Sequence, residues 1–144
     1  MRIEFFVPGE VKGLARPRAS TFGGHARMYD PVQNRSEKAT LRQYLSDHWD
    51  GGLADPGPKG FKVQLVAGFA TPKSMSKKKQ KLALEYRMMP QKKPDADNIV
   101  KLVLDAYNLV LWKDDSSVTE VNVRKIYTDT PGLWVNISWE ESDG

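Results

Sequence analysis

The stretch Phe61 to Phe69 constrains the fold more than any other. Phe61, Val63, Leu65 and Ala67 alternate with Lys62 and Gln64. Side chains alternate across a strand, so this segment is read as a strand with one face on a core and one toward water. Such a strand needs a sheet around it and something apolar to cover its inner face. The apolar run Arg2 to Val7, closed by Pro8-Gly9, supplies a second strand. Val118 to Tyr127 and Gly132 to Trp139 supply two more, and Thr130-Pro131-Gly132 between them suggests that they pair as a hairpin.

Helices cover the sheet. Ala39, Leu41, Tyr44, Leu45 and Trp49 form an apolar stripe on a helix from about Arg35 to Trp49, with Asn34 or Ser36 as its cap. Ser76 is placed to cap a lysine-rich helix from Lys77 to about Arg87, and a third helix runs from about Asn98 to Asn108 on Val100, Val103, Leu104 and Tyr107. Gly13 to Pro31 and Asp50 to Gly60 read as loops, the second glycine- and proline-rich enough for disorder. The order strand, helix, strand, helix, helix, strand, strand gives an α+β fold, a mixed β-sheet packed with helices. With 144 residues, 40% of them hydrophobic, the chain suits a single domain, 1–144, with residues 140–144 as a frayed tail.

Several chemistries drop out early. The chain has no cysteine, which removes disulfides, thiolate zinc sites and a cysteine nucleophile. His25 and His48 show no metal-ligand spacing, and no nucleotide-binding glycine loop, H-E-x-x-H or G-x-S-x-G occurs. No run approaches the roughly 18 apolar residues of a spanning helix. The stretch Met1 to Val7 is too short and charged for a signal peptide, so a cytoplasmic protein without membrane partners is expected.

The net charge of +4 decides little, but its distribution is informative. Between Pro72 and Lys93 stand eight basic residues, including Lys73, Lys77, Lys78, Lys79 and Lys81, and one acid. Between Asp95 and Glu120 stand six acids and two bases. A metal-dependent nuclease needs both parts: cations for phosphate and carboxylates for a divalent metal. If the chain stays extended from Lys93-Pro94 through Asp97, then Asp95 and Asp97 share a face. Their separation of roughly 6–7 Å is one that a cation can bridge. The turn Trp112-Lys113-Asp114-Asp115-Ser116, after the helix, can return a third acid to them, and Lys101 lies one helical turn past Asp97. Bland alternatives exist for each: Asp97 as a helix cap, Asp97–Lys101 as a surface pair, Asp114-Asp115 as a plain turn, the lysines as a solvated face, and Asp105 as a structural acid.

Taken together, Lys93-Pro94-Asp95-Ala96-Asp97-Asn98-Ile99-Val100-Lys101, then Leu104-Asp105-Ala106, then Trp112-Lys113-Asp114-Asp115-Ser116-Ser117-Val118 resemble the RusA family of Holliday junction resolvases, found in phages and prophages. The family pattern is D-x-D-N-x-x-K, then D-A-L, then D-D-x-x-V. Val7-Pro8-Gly9, Arg16-Pro17-Arg18, Met28-Tyr29-Asp30-Pro31 and the proline-serine-lysine lead-in from Pro72 resemble its earlier segments, while Ala96 and Tyr107 stand where larger aliphatics and leucine are usual. The resemblance implies a homodimer that nicks four-way DNA junctions symmetrically with Mg2+, or Mn2+ in its place, in recombination and repair. It implies Asp95, Asp97 and Asp115 as metal-holding catalytic acids, Lys101 as their catalytic companion, and no small-molecule cofactor. Arg16, Arg18, Arg27, Lys73, Lys77, Lys78, Lys79 and Lys81 are the expected DNA-binding residues. Two other readings stay open: a metal nuclease without junction preference, and a non-catalytic nucleic-acid-binding module.

Overall fold

The computed structural model describes residues 1–15, 18–20, 27–29 and 31–141, with the backbone alone at 18–20 and 27–29. Its elements are β1 (Arg2–Pro8), β2 (Arg18–Ser20), β3 (Arg27–Tyr29), α1 (Val32–Ser46), β4 (Phe61–Phe69), α2 (Lys77–Leu84), α3 (Ala96–Tyr107), a short 3-10 turn (Asp115–Ser117), β5 (Val118–Tyr127) and β6 (Gly132–Ser138). The fold is α+β. One sheet has the order β1-β6-β4-β5, and β2 and β3 form a small separate ladder within what reads from sequence as a loop.

β5 and β6 do not form the expected hairpin. β6 inserts antiparallel between β1 and β4, and β5 pairs parallel to β4 at the edge. Side-chain character explains the exchange. Leu133, Val135 and Ile137 of β6 are buried, whereas Thr119, Glu120, Val121, Asn122 and Arg124 of β5 are exposed. The strand with more apolar surface to hide takes the interior, and the polar one takes the edge.

One face of the sheet is covered. Ile3, Phe5, Phe61, Val63, Leu65, Val135 and Ile137 pack with Leu41 and Leu45 of α1 and Ile99, Leu102, Val103 and Ala106 of α3. The buried stripe of α3 runs through Ile99, Leu102, Val103 and Ala106, and the helix starts at Ala96, two residues before the expected Asn98. α1 likewise starts at Val32, after Pro31, and has no side-chain cap. Asn34 and Ser36 are therefore not caps. Asn34 is buried inside α1, where its amide exchanges two hydrogen bonds of 2.8 Å with the backbone of Ala15. Ser76 does cap α2, accepting from Lys79 N–H at 3.3 Å, but that helix ends at Leu84. The Asp50–Gly60 segment is pinned: Trp49 donates to the Gly52 carbonyl at 2.8 Å, and Ala54 N–H to Leu111 at 2.8 Å. The expected fraying of 140–144 falls partly on 142–144, which lie outside the described residues.

The far end of α3 is closed with care. A helix leaves its last four carbonyls without helical partners. Here Leu104 O accepts from the Trp112 indole at 3.2 Å, Asp105 O from Asn108 N–H at 3.4 Å, and Ala106 O from Arg42 Nε at 2.7 Å. Tyr107 O takes the N–H groups of Val110 and Leu111. Tyr107 is fully buried and donates to Leu41 O at 3.0 Å, joining α3 to α1. Burial raises its phenol well above the ordinary range, so it remains a neutral donor.

The turn after α3 needs a left-handed residue, and Leu109 fills it at φ 62° with 74% of its surface exposed. A left-handed conformation costs a non-glycine residue about 1–2 kcal/mol, while glycine there loses about 0.5–1 kcal/mol of extra chain entropy on folding. Leu109→Gly is therefore expected to stabilise the chain by about 0.5 kcal/mol, read as a higher urea midpoint at unchanged slope. A lower midpoint would show that the exposed leucine makes contacts that matter.

Candidate active site

Asp95 is the N-cap residue of α3, with extended backbone (φ −65°, ψ 149°), and its carbonyl accepts from Asn98 and Ile99 N–H at 3.1 Å each. Its side chain makes no capping hydrogen bond. It is exposed and has no hydrogen-bond or ion-pair partner among the described residues. Asp97 lies in the first helical turn, exposed, with its Oδ2 3.7 Å from Lys101 Nζ. This revises two expectations. The chain is not extended through Asp97, so the two acids do not share a strand face, and Asp97 is not the cap. The surface pair with Lys101 is present. Both acids sit at the positive end of the helix dipole, which also attracts any phosphate brought near.

The strap after β1 borders the same site. Leu14 N–H donates to Asn98 O at 3.0 Å, and a Cβ added at Gly13 would stand 2.7 Å from Pro94 Cβ, so the strap lies flat on the helix start only with glycine there. Lys12, Lys93, Asp95 and Asn98 line an open cleft of about 660 Å³. Asn34 and Gly13 hold this wall, and sequence reasoning missed both. The glycine carried no signal beyond its place in a loop, and Asn34 resembled a cap.

The other acid pair occupies different ground. Asp114 caps the 3-10 turn: its Oδ2 accepts from Ser116 N–H at 3.2 Å, and its carbonyl accepts from Ser117. The hydroxyl and then the backbone N–H of Ser116 hold its carboxyl below the usual carboxylate range. Asp115 is half-buried, with no side-chain partner among the described residues. Asp114 is thus committed to the turn, and the Asp115 carboxylate is the one that the turn leaves unengaged.

The strand register shows how far apart the two groups lie. Val118, just after Asp115, pairs with Phe61, and Tyr127 pairs with Phe69. Lys92 lies at the Phe69 end: its carbonyl accepts from Lys125 Nζ, and both ammonium groups stand over the Phe69 ring, at 5.7 and 5.3 Å. Asp95 and Asp97 follow at that end, and α3 then runs about 18 Å back toward the other. Among the described residues no three His, Asp or Glu side chains form a group able to hold a metal. Asp95 and Asp97 share the start of α3; Asp115 stands at the opposite end of β5.

The lysine-rich segment leaves the sheet at the same strand end as the first pair. Lys73, Lys77, Lys78, Lys79 and Lys81 are all exposed, and none is ion-paired among the described residues. They lie on α2 and its lead-in, which follow Phe69 at the C-terminal end of β4. Arg16 and His25 lie outside the described residues, and the side chains of Arg18 and Arg27 are not described. Asp105 pairs with Lys38 of α1 at 3.9 Å, the structural role expected of it. His48 ends α1 with Nδ1 2.8 Å from Tyr44 O, away from the acids.

Two exposed carboxylates, one making no capping hydrogen bond and one paired with Lys101, stand at the start of α3, and α2 presents a run of exposed lysines. The family model for Endodeoxyribonuclease RusA matches residues 8–138, and the chain belongs to that family. It is also similar to the Uncharacterized protein YqaN of Bacillus subtilis (strain 168), 36% identical over 135 residues that cover 94% of each chain. Family membership supports nuclease chemistry, and among the described residues no helix is long and apolar enough to cross a membrane.

Proposed function

We propose that the chain is a cytoplasmic, divalent-metal-dependent endodeoxyribonuclease that resolves four-way DNA junctions as a homodimer, by paired symmetric nicks. The observation that carries this reading is the Asp95 carboxylate, which stands at a helix N-cap yet does not cap, beside Asp97, in a member of an endodeoxyribonuclease family. A capping carboxylate would have spent its oxygens on N–H groups. The donor set fits the metal: three carboxylates with no nitrogen or sulfur suit Mg2+, with Mn2+ as a substitute. Asp95, Asp97 and Asp115 would hold it. When bound, the cation eases deprotonation of the attacking water and offsets negative charge on the phosphoryl group.

Because Asp115 lies at the other end of β5 from Asp95 and Asp97, the third acid is assigned to the second copy. A two-fold dimer then carries two identical composite sites, which match the two-fold symmetry of a junction. Lys101, which pairs with Asp97 here, would hold a phosphate oxygen when that carboxylate holds the cation. The lysines of α2, with Lys73, bind backbone phosphates without reading bases, and Arg16, Arg18 and Arg27 extend that contact.

Two assays test the proposal. The wild type should cut a synthetic four-way junction, and not a linear duplex of the same sequence, with Mg2+ and not with chelator. Equal cutting of both substrates would make it a general nuclease; binding without cutting in any metal would make it a binding module. Mixing Asp97→Asn with Asp115→Asn protein addresses the shared site. With acids contributed across the dimer, the mixed dimer keeps one intact site and nicks one strand. With all acids in one chain, both sites of the mixed dimer are dead.

A further inference from the structure

Among the described residues, β5 has β4 on one side and no strand on the other, and α2 touches the strand without pairing with it. Such an edge is a template for a further strand, and chains that avoid pairing blunt it with proline, bulges or outward lysines. β5 has no proline, and its one register shift lies at the very start of its pairing with β4, at Phe61/Lys62. Its single lysine, Lys125, is bonded to the Lys92 carbonyl. The free stretch is rich in residues that favour strands, and Val121 is 39% exposed.

The charges on this stretch are arranged symmetrically. Glu120 and Arg124 share the uncovered sheet face, in register with Lys62 and Val66 of β4. Both are exposed, and neither has an ion-pair partner among the described residues. They lie two residues to either side of Asn122. We propose that β5 pairs antiparallel with β5 of a second copy about a two-fold axis through Asn122, joining the two sheets into one of eight strands. Glu120 then faces Arg124 of the second copy twice over, and Val121 faces Val123. Moving the axis by two residues sets Glu120 against Glu120 or Arg124 against Arg124, and moving it by one leaves the opposite charges unpaired. This inference rests on the dimeric reading above and gives it a surface. Reversing strand direction across the axis brings the Asp115 end of one copy to the Tyr127 end of the other, the end at which Lys92, Asp95 and Asp97 stand.

The chain has no cysteine, so one introduced thiol reports on the axis. Opposed residues of an antiparallel pair have Cα atoms about 4.5–5.5 Å apart, within disulfide reach. Asn122→Cys is expected to give a covalent dimer under mild oxidation, and Lys62→Cys, on the neighbouring strand, is expected to give none. Glu120→Arg and Arg124→Glu should each weaken the dimer about tenfold in sedimentation without DNA or metal, since each substitution sets like charges opposite one another at two places. The double variant should restore it. The interface is overturned if Asn122→Cys cross-links no better than Lys62→Cys, if single reversals leave the dimer unchanged, or if the double reversal fails to rescue it. An intact dimer that responds this way yet leaves junctions uncut would sink the nuclease reading alone. Junction cleavage with no response to the reversals would sink this interface alone.

Discussion

Asp97→Asn is expected to reduce junction cleavage by about 10²–10³-fold while leaving junction binding intact or slightly stronger. A carboxylate that holds the cation acts on charge that develops in the transition state, and losing one such electrostatic contact costs on the order of 10²–10³ in rate. Stability should barely change. Asp97 is exposed, sits one turn inside the helix rather than at its cap, and pairs with Lys101 across 3.7 Å. An exposed i,i+4 pair is worth about 0.3–0.5 kcal/mol, and the neutral amide gives up a similar contribution from the helix dipole. A gel assay on junction DNA beside a urea titration separates the two effects. If cleavage survives, Asp97 is a surface acid. If cleavage and stability fall together, it is structural. Asp114→Asn is the natural comparison, because its carboxylate is already engaged by Ser116.

The sheet, three main helices and chain order were legible in the sequence because each element carries its own hydrophobic period. Pairing was not legible, because it depends on distant partners. Val118–Tyr127 and Gly132–Trp139 look like a hairpin from their short connection, and only competition for the interior puts β6 between β1 and β4. The start of α3 was misjudged by two residues for a related reason. Asp95 and Asp97 are both reasonable caps, and the choice falls on Asp95 because burying Ile99, Leu102, Val103 and Ala106 together sets the helix phase. Of the candidate site, Asp95 and Asp97 came from motif spacing, and Asp115 rather than Asp114 from the family resemblance. That Asp114 is spent on its turn, and that Asp115 lies a strand's length from Asp95, follow from hydrogen bonds and register that spacing does not encode.

Trp112→Ala is expected to destabilise the chain by about 3–5 kcal/mol, the range for removing a large buried aromatic side chain. The indole has 0% exposure. It packs on Phe61 at 5.3 Å and edge-on to Tyr107 at 5.8 Å, and its Nε1–H satisfies the Leu104 carbonyl at the end of α3. Truncation removes both ring contacts, opens a cavity and strands a helix-end carbonyl. Against a typical total of about 5–15 kcal/mol, that loss should lower Tm by roughly 10–15 °C at this chain length. Trp112→Phe keeps most of the packing and loses the hydrogen bond, so about 1–2 kcal/mol is expected. Trp112 also anchors the turn that ends in Asp115. Below its melting point, Trp112→Ala should therefore bind junctions like the wild type and cut them more slowly, because the third acid is less firmly placed while the lysines of α2 are untouched. A Tm within about 3 °C of wild type would show that the aromatic cluster repacks around the gap. An unchanged cutting rate per folded molecule would show that the position of Asp115 does not depend on Trp112, and the firmness of that turn would then have to be sought in Asp114, Ser116 and Ser117 alone.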